Sequence, residues 1–220
     1  MKKILTSLFA CFALLSFTFG AQADTNAQFK NDDPYELFRL VTEKAFQRFK
    51  QDWPKVEQDP ELLKVIIREE LLPYIDYEYA SFKVLGKHTR GPSRDELMKF
   101  VDAFRDYIVT VYAQLFINYR SEQTIIVEPS NSKELDKIVV VKSKIVEPGR
   151  PDIAVTFKLI NRGKGWQAFD MEAEGISVLS TKRKEIGDAI SRIGFKAVIN
   201  DLIEKADKKL NFKSDDKNVS

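Results

Sequence analysis

The chain has 220 residues, with 35 Lys and Arg against 33 Asp and Glu, and a single cysteine, Cys11. This near balance excludes the strong positive field that draws proteins onto nucleic acid or anionic membranes. One cysteine also excludes a disulfide framework and cysteine-ligated metal clusters, so the protein depends on its apolar core for stability.

Residues 1–23 have the features of a cleaved signal peptide. Two lysines near the start precede an uncharged apolar run at residues 4–20, and Ala21-Gln22-Ala23 has the small-x-small pattern of a cleavage site. A lipoprotein signal ending at Cys11 is the alternative, but the apolar run continues past this cysteine. Cleavage after Ala23 leaves 33 basic residues, which is 35 less the two lysines, against 33 acidic ones. The sequence therefore predicts an exported protein, with no later apolar run long enough to span a membrane.

Helical periodicity predominates from Asp33 to about residue 119. Asp33 is placed to cap a first helix, with Pro34 at its first helical position. Asp59 and Pro60 repeat this pattern at the start of a second helical segment, which is predicted to stop at Pro73. A third, short helix is predicted from an Asp76 cap to Gly86, and a fourth opens with the capping box of Ser93 and Glu96.

The fourth helix has an apolar stripe wider than a surface helix needs. Five of its residues are aromatic: Phe100, Phe104, Tyr107, Tyr112 and Phe116. This much apolar surface has to be covered by other elements.

From about residue 124 to 179 the hydrophobic period changes to two, which predicts four strands: TIIVEP, DKIVVVKSKIVEP, DIAVTFKLI and WQAFDMEAEGISVL. The connections are too short for helical crossovers, so the sheet is predicted to be antiparallel. Two helices follow, one ending at Gly194 and one from Phe195 to about Leu210. The predicted fold is α+β, with mixed helices packed on one face of a curved four-stranded sheet. One domain is expected at residues 24–211, with a flexible tail at 212–220.

An acidic row, Asp170, Glu172 and Glu174, lies at alternate positions of the last predicted strand. Such a row could hold a metal, carry out acid–base chemistry or face water. The chain has one histidine, His88, in a loop-like segment, and it lacks both a phosphate-binding glycine loop and a nucleophile elbow. We therefore expect a solvated row beside lysines of the neighbouring strand, no metal site and no enzyme. Gly175, where the apolar parity switches, is predicted to form a bulge that opens the sheet edge.

The opposite face of the predicted sheet mixes large apolar residues with small ones, including Phe157, Met171 and Ala173. The residues alone leave two interpretations open: a close-packed core, or a cavity for an apolar ligand.

Four segments together resemble the MlaC family: NDDPYELF, ELLPYIDYEYASFKVLG, KFVDAFRDYIVTVYAQLFINY and GWQAFDMEAEGISVLSTKRKEIG. The resemblance implies a periplasmic phospholipid carrier without enzymatic activity or cofactor, which holds acyl chains in a hydrophobic cavity between helices and sheet. It implies a monomer that shuttles lipid between an outer-membrane lipoprotein–porin complex and an inner-membrane ABC transporter with an MCE-domain subunit. This shuttling maintains the lipid asymmetry of the outer membrane. A chaperone or adaptor that binds a protein through its aromatic face is the alternative.

Face assignment within these segments predicts thirteen lipid-contacting residues. The helical ones are Tyr74, Phe82, Leu85, Phe104, Ile108, Val111 and Tyr112. The sheet residues are Val141, Val155, Phe157, Phe169, Met171 and Ile176.

Overall fold

The computed structural model describes residues 32–129 and 137–212. The predicted signal peptide, its cleavage after Ala23 and nearly all of the predicted tail lie outside the described residues. The helices are α1 Pro34–Val56, α2 Leu62–Ile66, α3 Tyr77–Leu85, α4 Arg94–Phe116, α5 Val178–Ile193 and α6 Phe195–Asp207. A π-helical turn at Ile67–Leu71 and a 3-10 turn at Leu72–Tyr74 continue α2, and a second 3-10 turn at Gly86–Thr89 follows α3. Within these two stretches no helix is both long and apolar enough to cross a membrane.

Most predicted helix starts are confirmed by their caps. The Asp33 carboxylate accepts hydrogen bonds from the backbone N–H groups of Tyr35 at 2.9 Å and Glu36 at 3.4 Å, which satisfies two donors at the start of α1. The prediction for Asp59 is wrong: its carboxylate caps a turn by accepting from the Glu61 N–H at 3.1 Å, and α2 begins only at Leu62.

The capping box at the start of α4 is confirmed. Ser93 Oγ accepts from the Glu96 N–H at 3.3 Å, while Glu96 Oε2 accepts from the Ser93 N–H at 2.8 Å. We expect Ser93→Ala to lower the free energy of unfolding by about 1 kcal/mol, because one donor of the first turn loses its partner. Urea denaturation measures this loss. Ser121→Ala, which removes an exposed serine that caps no helix, is the control and should change stability by less than about 0.5 kcal/mol.

In the described residues the sheet has five strands rather than the predicted four: β1 Thr124–Val127, β2 Ile138–Val146, β3 Ile153–Asn161, β4 Trp166–Ala173 and β5 Ile176–Ser177. They are antiparallel and follow chain order across the sheet. The extra strand arises because Glu174 and Gly175 both have positive φ, 50° and 77°, and reverse the chain. Positive φ at two central residues is what a tight hairpin turn needs. Gly175 is therefore a turn residue, and the predicted bulge there is wrong.

A bulge does occur in the same strand, but it lies at Phe169, near the middle of β4. Lys158 of β3 pairs with Asp170, whereas the next residue, Leu159, pairs with Ala168. Phe169 is thus the extra residue, and its ring turns toward α3, where it meets Tyr79 edge to face at 5.1 Å. The bulge shifts the alternation of faces along β4.

Three apolar clusters hold the layers together. The first joins α3, α4, α5 and α6 around Phe100 and Leu202, which are 0% and 1% exposed. The second joins α1, α2 and α4 around Phe49 and Val109. The third packs α1 against the sheet through Val41 and contacts on β2 and β3. The helices therefore cover one face of the sheet, with α1 over β1 and β2 and with α3 and α5 against β4.

Candidate functional site: an apolar cavity between α1 and the sheet

A small apolar cavity lies where the second and third clusters meet, with a volume of about 60 Å³. Its wall on the α1 side consists of Phe38, Val41, Thr42, Ala45, Phe46 and Phe49. The other residues outside the sheet that line it are Leu71, Tyr74, Ile75, Tyr112 and Phe116. From the sheet come Ile125, Phe157, Ala168, Asp170 and Met171.

The α1 wall follows from helical spacing. Phe38, Val41, Ala45 and Phe49 recur every three or four residues, so they share one face that is directed at the sheet. Phe46 lies beside them and packs edge to face on Phe116 of α4, with ring centroids 6.2 Å apart. The side chains that line the space are thus almost all apolar, which suits hydrocarbon and not a charged ligand.

Polar groups are few in this wall. Thr42 donates its hydroxyl to the Phe38 carbonyl at 2.8 Å, so it is satisfied within α1. Tyr112 of α4 is partly buried, and desolvation together with the nearby Asp170 carboxylate raises the pKa of its phenol above the usual value. The phenol therefore remains protonated at neutral pH.

Asp170 is the one acidic residue that the described chain contributes to the cavity wall, and it is only 4% exposed. Its carboxylate accepts hydrogen bonds from Ser177 Oγ at 2.8 Å and from the Leu179 N–H at 3.1 Å, at the start of α5. Lys158 Nζ approaches it at 3.2 Å and also contacts the Glu172 carboxylate. Asp170 thus fastens the α5 N-terminus to β4.

The predicted solvent-facing acidic row is therefore wrong for its first member. Asp170 is buried, Glu172 is partly buried beside Lys158, and Glu174 sits in the β4–β5 turn, where its carboxylate accepts from the Ala154 N–H at 2.6 Å. The reason is that the start of α5 binds Asp170 beside β4, while the β4–β5 turn takes Glu174 out of the strand. In the described ranges no group of three or more His, Cys, Asp or Glu could hold a metal ion.

The thirteen predicted lipid contacts are divided among several environments. Four of them line the cavity: Tyr74, Tyr112, Phe157 and Met171. Five lie in or against the first helical cluster: Leu85, Phe104, Ile108, Val111 and Phe169. Of the remaining four, Val141 and Val155 are buried in the sheet layer, Phe82 is partly buried and Ile176 is 67% exposed on β5. Lipid contact by these residues stays a prediction.

Sequence reasoning missed the α1 wall. The apolar stripe of Phe38, Val41, Ala45 and Phe49 is visible as a helical period, but it carries the same signal as the α4 stripe. Nothing in the pattern distinguishes the apolar residues that border the cavity from those that pack against other helices.

A second surface feature is a basic groove between the α3 end and α5. Its charged and titratable residues are Lys87, His88, Arg90, Arg183 and Lys184, together with the carboxylate of Asp188. His88 lies against Gly187 of α5, 3.6 Å from where a β-carbon would stand. The fold brings together two basic segments that are far apart in sequence, and it gives this face a positive field.

The chain has clear relatives among known proteins. A family model described as MlaC protein matches residues 39–204. The intermembrane phospholipid transport system binding protein MlaC of Haemophilus influenzae is 29% identical over 204 residues, covering 91% of this chain and 95% of that protein. The toluene tolerance protein ttg2D of Pseudomonas putida is 22% identical over 208 residues, covering 94% and 88%.

A solved structure has the same fold. The phospholipid-binding protein from Ralstonia solanacearum, in complex with a phospholipid, matches with a TM-score of 0.69 at 19% identity. The match covers 79% of this chain and 97% of that one.

Proposed function

Because the chain belongs to the MlaC family, we propose that it is a periplasmic phospholipid carrier that holds acyl chains in the cavity between α1 and the sheet. The observation that carries the proposal is the cavity itself, whose wall is built almost wholly from aromatic and aliphatic side chains. The names of the relatives, which describe phospholipid transport and binding, point the same way. The carrier performs no covalent chemistry and needs no cofactor.

The physical need for such a carrier is large. Exposing acyl chain to water costs about 0.8 kcal/mol per CH₂, so two chains of some thirty methylenes cost roughly 25 kcal/mol. Free phospholipid would therefore cross an aqueous compartment very slowly. A cavity lined by hydrocarbon lowers this barrier simply by replacing water around the chains.

The cavity has to widen to do this. Its volume of about 60 Å³ is small beside the roughly 300–1,000 Å³ of typical ligand pockets. Phe46 on α1 and Met171 on β4 line the cavity and are only partly buried, so these side chains have more freedom to move than the fully buried residues of the clusters. We propose that acyl chains enter by displacing them and pushing α1 away from the sheet.

The adaptor alternative needs an exposed aromatic face, and α4 does not supply it. Phe100, Phe104 and Tyr107 are 0%, 2% and 8% exposed and pack among the other helices. The broad stripe of α4 is therefore used within the fold. This burial favours the carrier over the adaptor.

We propose the basic groove as the surface that docks to the partner complexes, which are an inner-membrane ABC transporter with an MCE-domain subunit and an outer-membrane lipoprotein–porin complex. This exchange would maintain outer-membrane lipid asymmetry, with the carrier acting as a monomer. Positive charge on one face accelerates association with an acidic partner and makes it salt-dependent.

Reversing two charges of the groove tests this docking. We expect Lys87→Glu combined with Lys184→Glu to slow lipid exchange with the purified inner-membrane complex about tenfold, while bound lipid per protein is unchanged. The control is Lys142→Glu with Lys164→Glu, which reverses two charges on β2 and the β3–β4 hairpin outside the groove. Equal slowing in both double variants would show that the groove has no special role.

The carrier function is tested by transfer between vesicles. Donor vesicles carry a self-quenched fluorescent phospholipid, and acceptor vesicles carry none. We expect the protein to accelerate dequenching in proportion to its concentration. Transfer no faster than in buffer would contradict the proposal.

A further inference from the structure

Four of the described residues that line the cavity have polar side chains: Thr42, Tyr74, Tyr112 and Asp170. Thr42 is already bonded within α1, Tyr74 also interacts with another group, and Asp170 uses both of its carboxylate oxygens. Oδ1 accepts from Ser177 Oγ at 3.0 Å and from the Leu179 N–H at 3.1 Å, while Oδ2 accepts from Ser177 Oγ at 2.8 Å and from Lys158 Nζ at 3.2 Å. Asp170 is therefore fixed as a satisfied, negatively charged group.

Tyr112 is different, because its hydroxyl belongs to the cavity wall and forms no hydrogen bond with any residue in the described part of the chain. No fully buried side-chain nitrogen or oxygen in the described residues lacks a partner, so the unpaired Tyr112 hydroxyl keeps some accessible surface. A hydroxyl in an apolar space is stabilised when it gains a hydrogen-bond partner. Burial keeps the phenol protonated, so what it offers to a ligand is an O–H donor. A matching ligand must bring an acceptor into an otherwise apolar space.

We infer that the Tyr112 hydroxyl donates a hydrogen bond to an ester carbonyl of a bound diacyl glycerophospholipid and thereby sets how deep the lipid sits. The inference rests on the proposed carrier function and deepens it. Ester carbonyls are acceptors located where the acyl chains begin, so they are the polar atoms that follow the hydrocarbon into the cavity.

The test compares two lipids that differ only in this acceptor. Protein freed of lipid is titrated, in competition with a fluorescent phospholipid, with diester phosphatidylethanolamine and with diether phosphatidylethanolamine of equal chain length. We expect wild type to bind the diester about three- to tenfold more tightly, the range for one net hydrogen bond. In Tyr112→Phe the preference should disappear. Tyr119→Phe, which removes a buried phenol outside the cavity, should retain it.

Infrared spectroscopy supplies a second measurement that does not depend on affinity. The carbonyl stretch of bound lipid with ¹³C-labelled esters should lie at the lower frequency of a hydrogen-bonded ester in wild type and rise in Tyr112→Phe. Equal affinities for the two lipids in wild type, or an unchanged stretch in the variant, would overturn the inference while the carrier function stands. A wild-type protein that binds neither lipid would overturn the carrier function itself.

Discussion

Asp170→Ala is expected to lower the free energy of unfolding by about 2–4 kcal/mol, among the largest effects of any single polar substitution in the chain. The change removes the acceptor of Ser177 Oγ and of the Leu179 N–H at the start of α5. Hydrogen bonds to a buried charge contribute about 1.5–3 kcal/mol, and the groups left behind would be unsatisfied. Urea denaturation at neutral pH, followed by circular dichroism, measures the loss.

Glu172→Ala is the matched control, because it removes a carboxylate from the same strand and the same lysine. Its side chain is 26% exposed, so the loss of its contact with Lys158 should cost less than about 1 kcal/mol. If both variants lost the same small amount, Asp170 would be an ordinary solvated carboxylate and would not fasten α5 to the sheet.

Met171→Glu is expected to abolish lipid retention and leave the fold intact. Met171 lines the cavity opposite Phe157 on the neighbouring strand. A carboxylate there would have to lose its water whenever acyl chains entered, which costs several kcal/mol. We therefore expect phospholipid per protein to fall at least about tenfold, as measured by organic extraction and mass spectrometry.

Val140→Glu is the control for this variant, since Val140 is 43% exposed on the outer face of the sheet and does not line the cavity. It should keep its lipid. Circular dichroism of both variants shows whether they fold, because the new charge at Met171 could unfold the protein instead of emptying it. A folded Met171→Glu protein with unchanged lipid content would contradict the assignment of the cavity.

Helix boundaries could be predicted where the signal is local. Asp33 with Pro34, and Ser93 with Glu96, cap helices through bonds to residues two or three positions away, so the sequence contains all that is needed. The fifth strand could not be foreseen in the same way. Glu174 has a φ of 50° although glutamate is uncommon there, and the bonds between Glu174 and Ala154 of β3, which stabilise that turn, join residues far apart in the chain.

The burial of Asp170 could not be predicted either, because it depends on contacts with another element and on the strand register. A regular two-residue period places Asp170, Glu172 and Glu174 on one face, but the packing of α5 and the β4–β5 turn give them three different environments, and the bulge at Phe169 interrupts the period just before them. Periodicity predicts faces only while the register is regular. The one extra residue of a β-bulge cannot be inferred from the hydrophobic pattern of the strand.

The candidate site was the hardest feature to predict, for a geometrical reason. Patterning indicates that Tyr112, Phe157 and Met171 face inward, and these residues do line the cavity. It cannot indicate whether the space beyond is filled, since the one apolar stripe of α4 serves close packing at Phe100 and Phe104 and the cavity wall at Tyr112 and Phe116. That difference is decided by how the helices lie on the sheet.

The central claim is that the cavity carries phospholipid, and the most direct measurement is the lipid content of the native protein. The protein is purified from the periplasm without detergent, extracted with organic solvent and analysed by mass spectrometry. The account predicts diacyl phospholipid in roughly stoichiometric amount. A folded, monomeric sample that yields no lipid would contradict it and would identify the space beside α1 as an imperfection of an ordinary core.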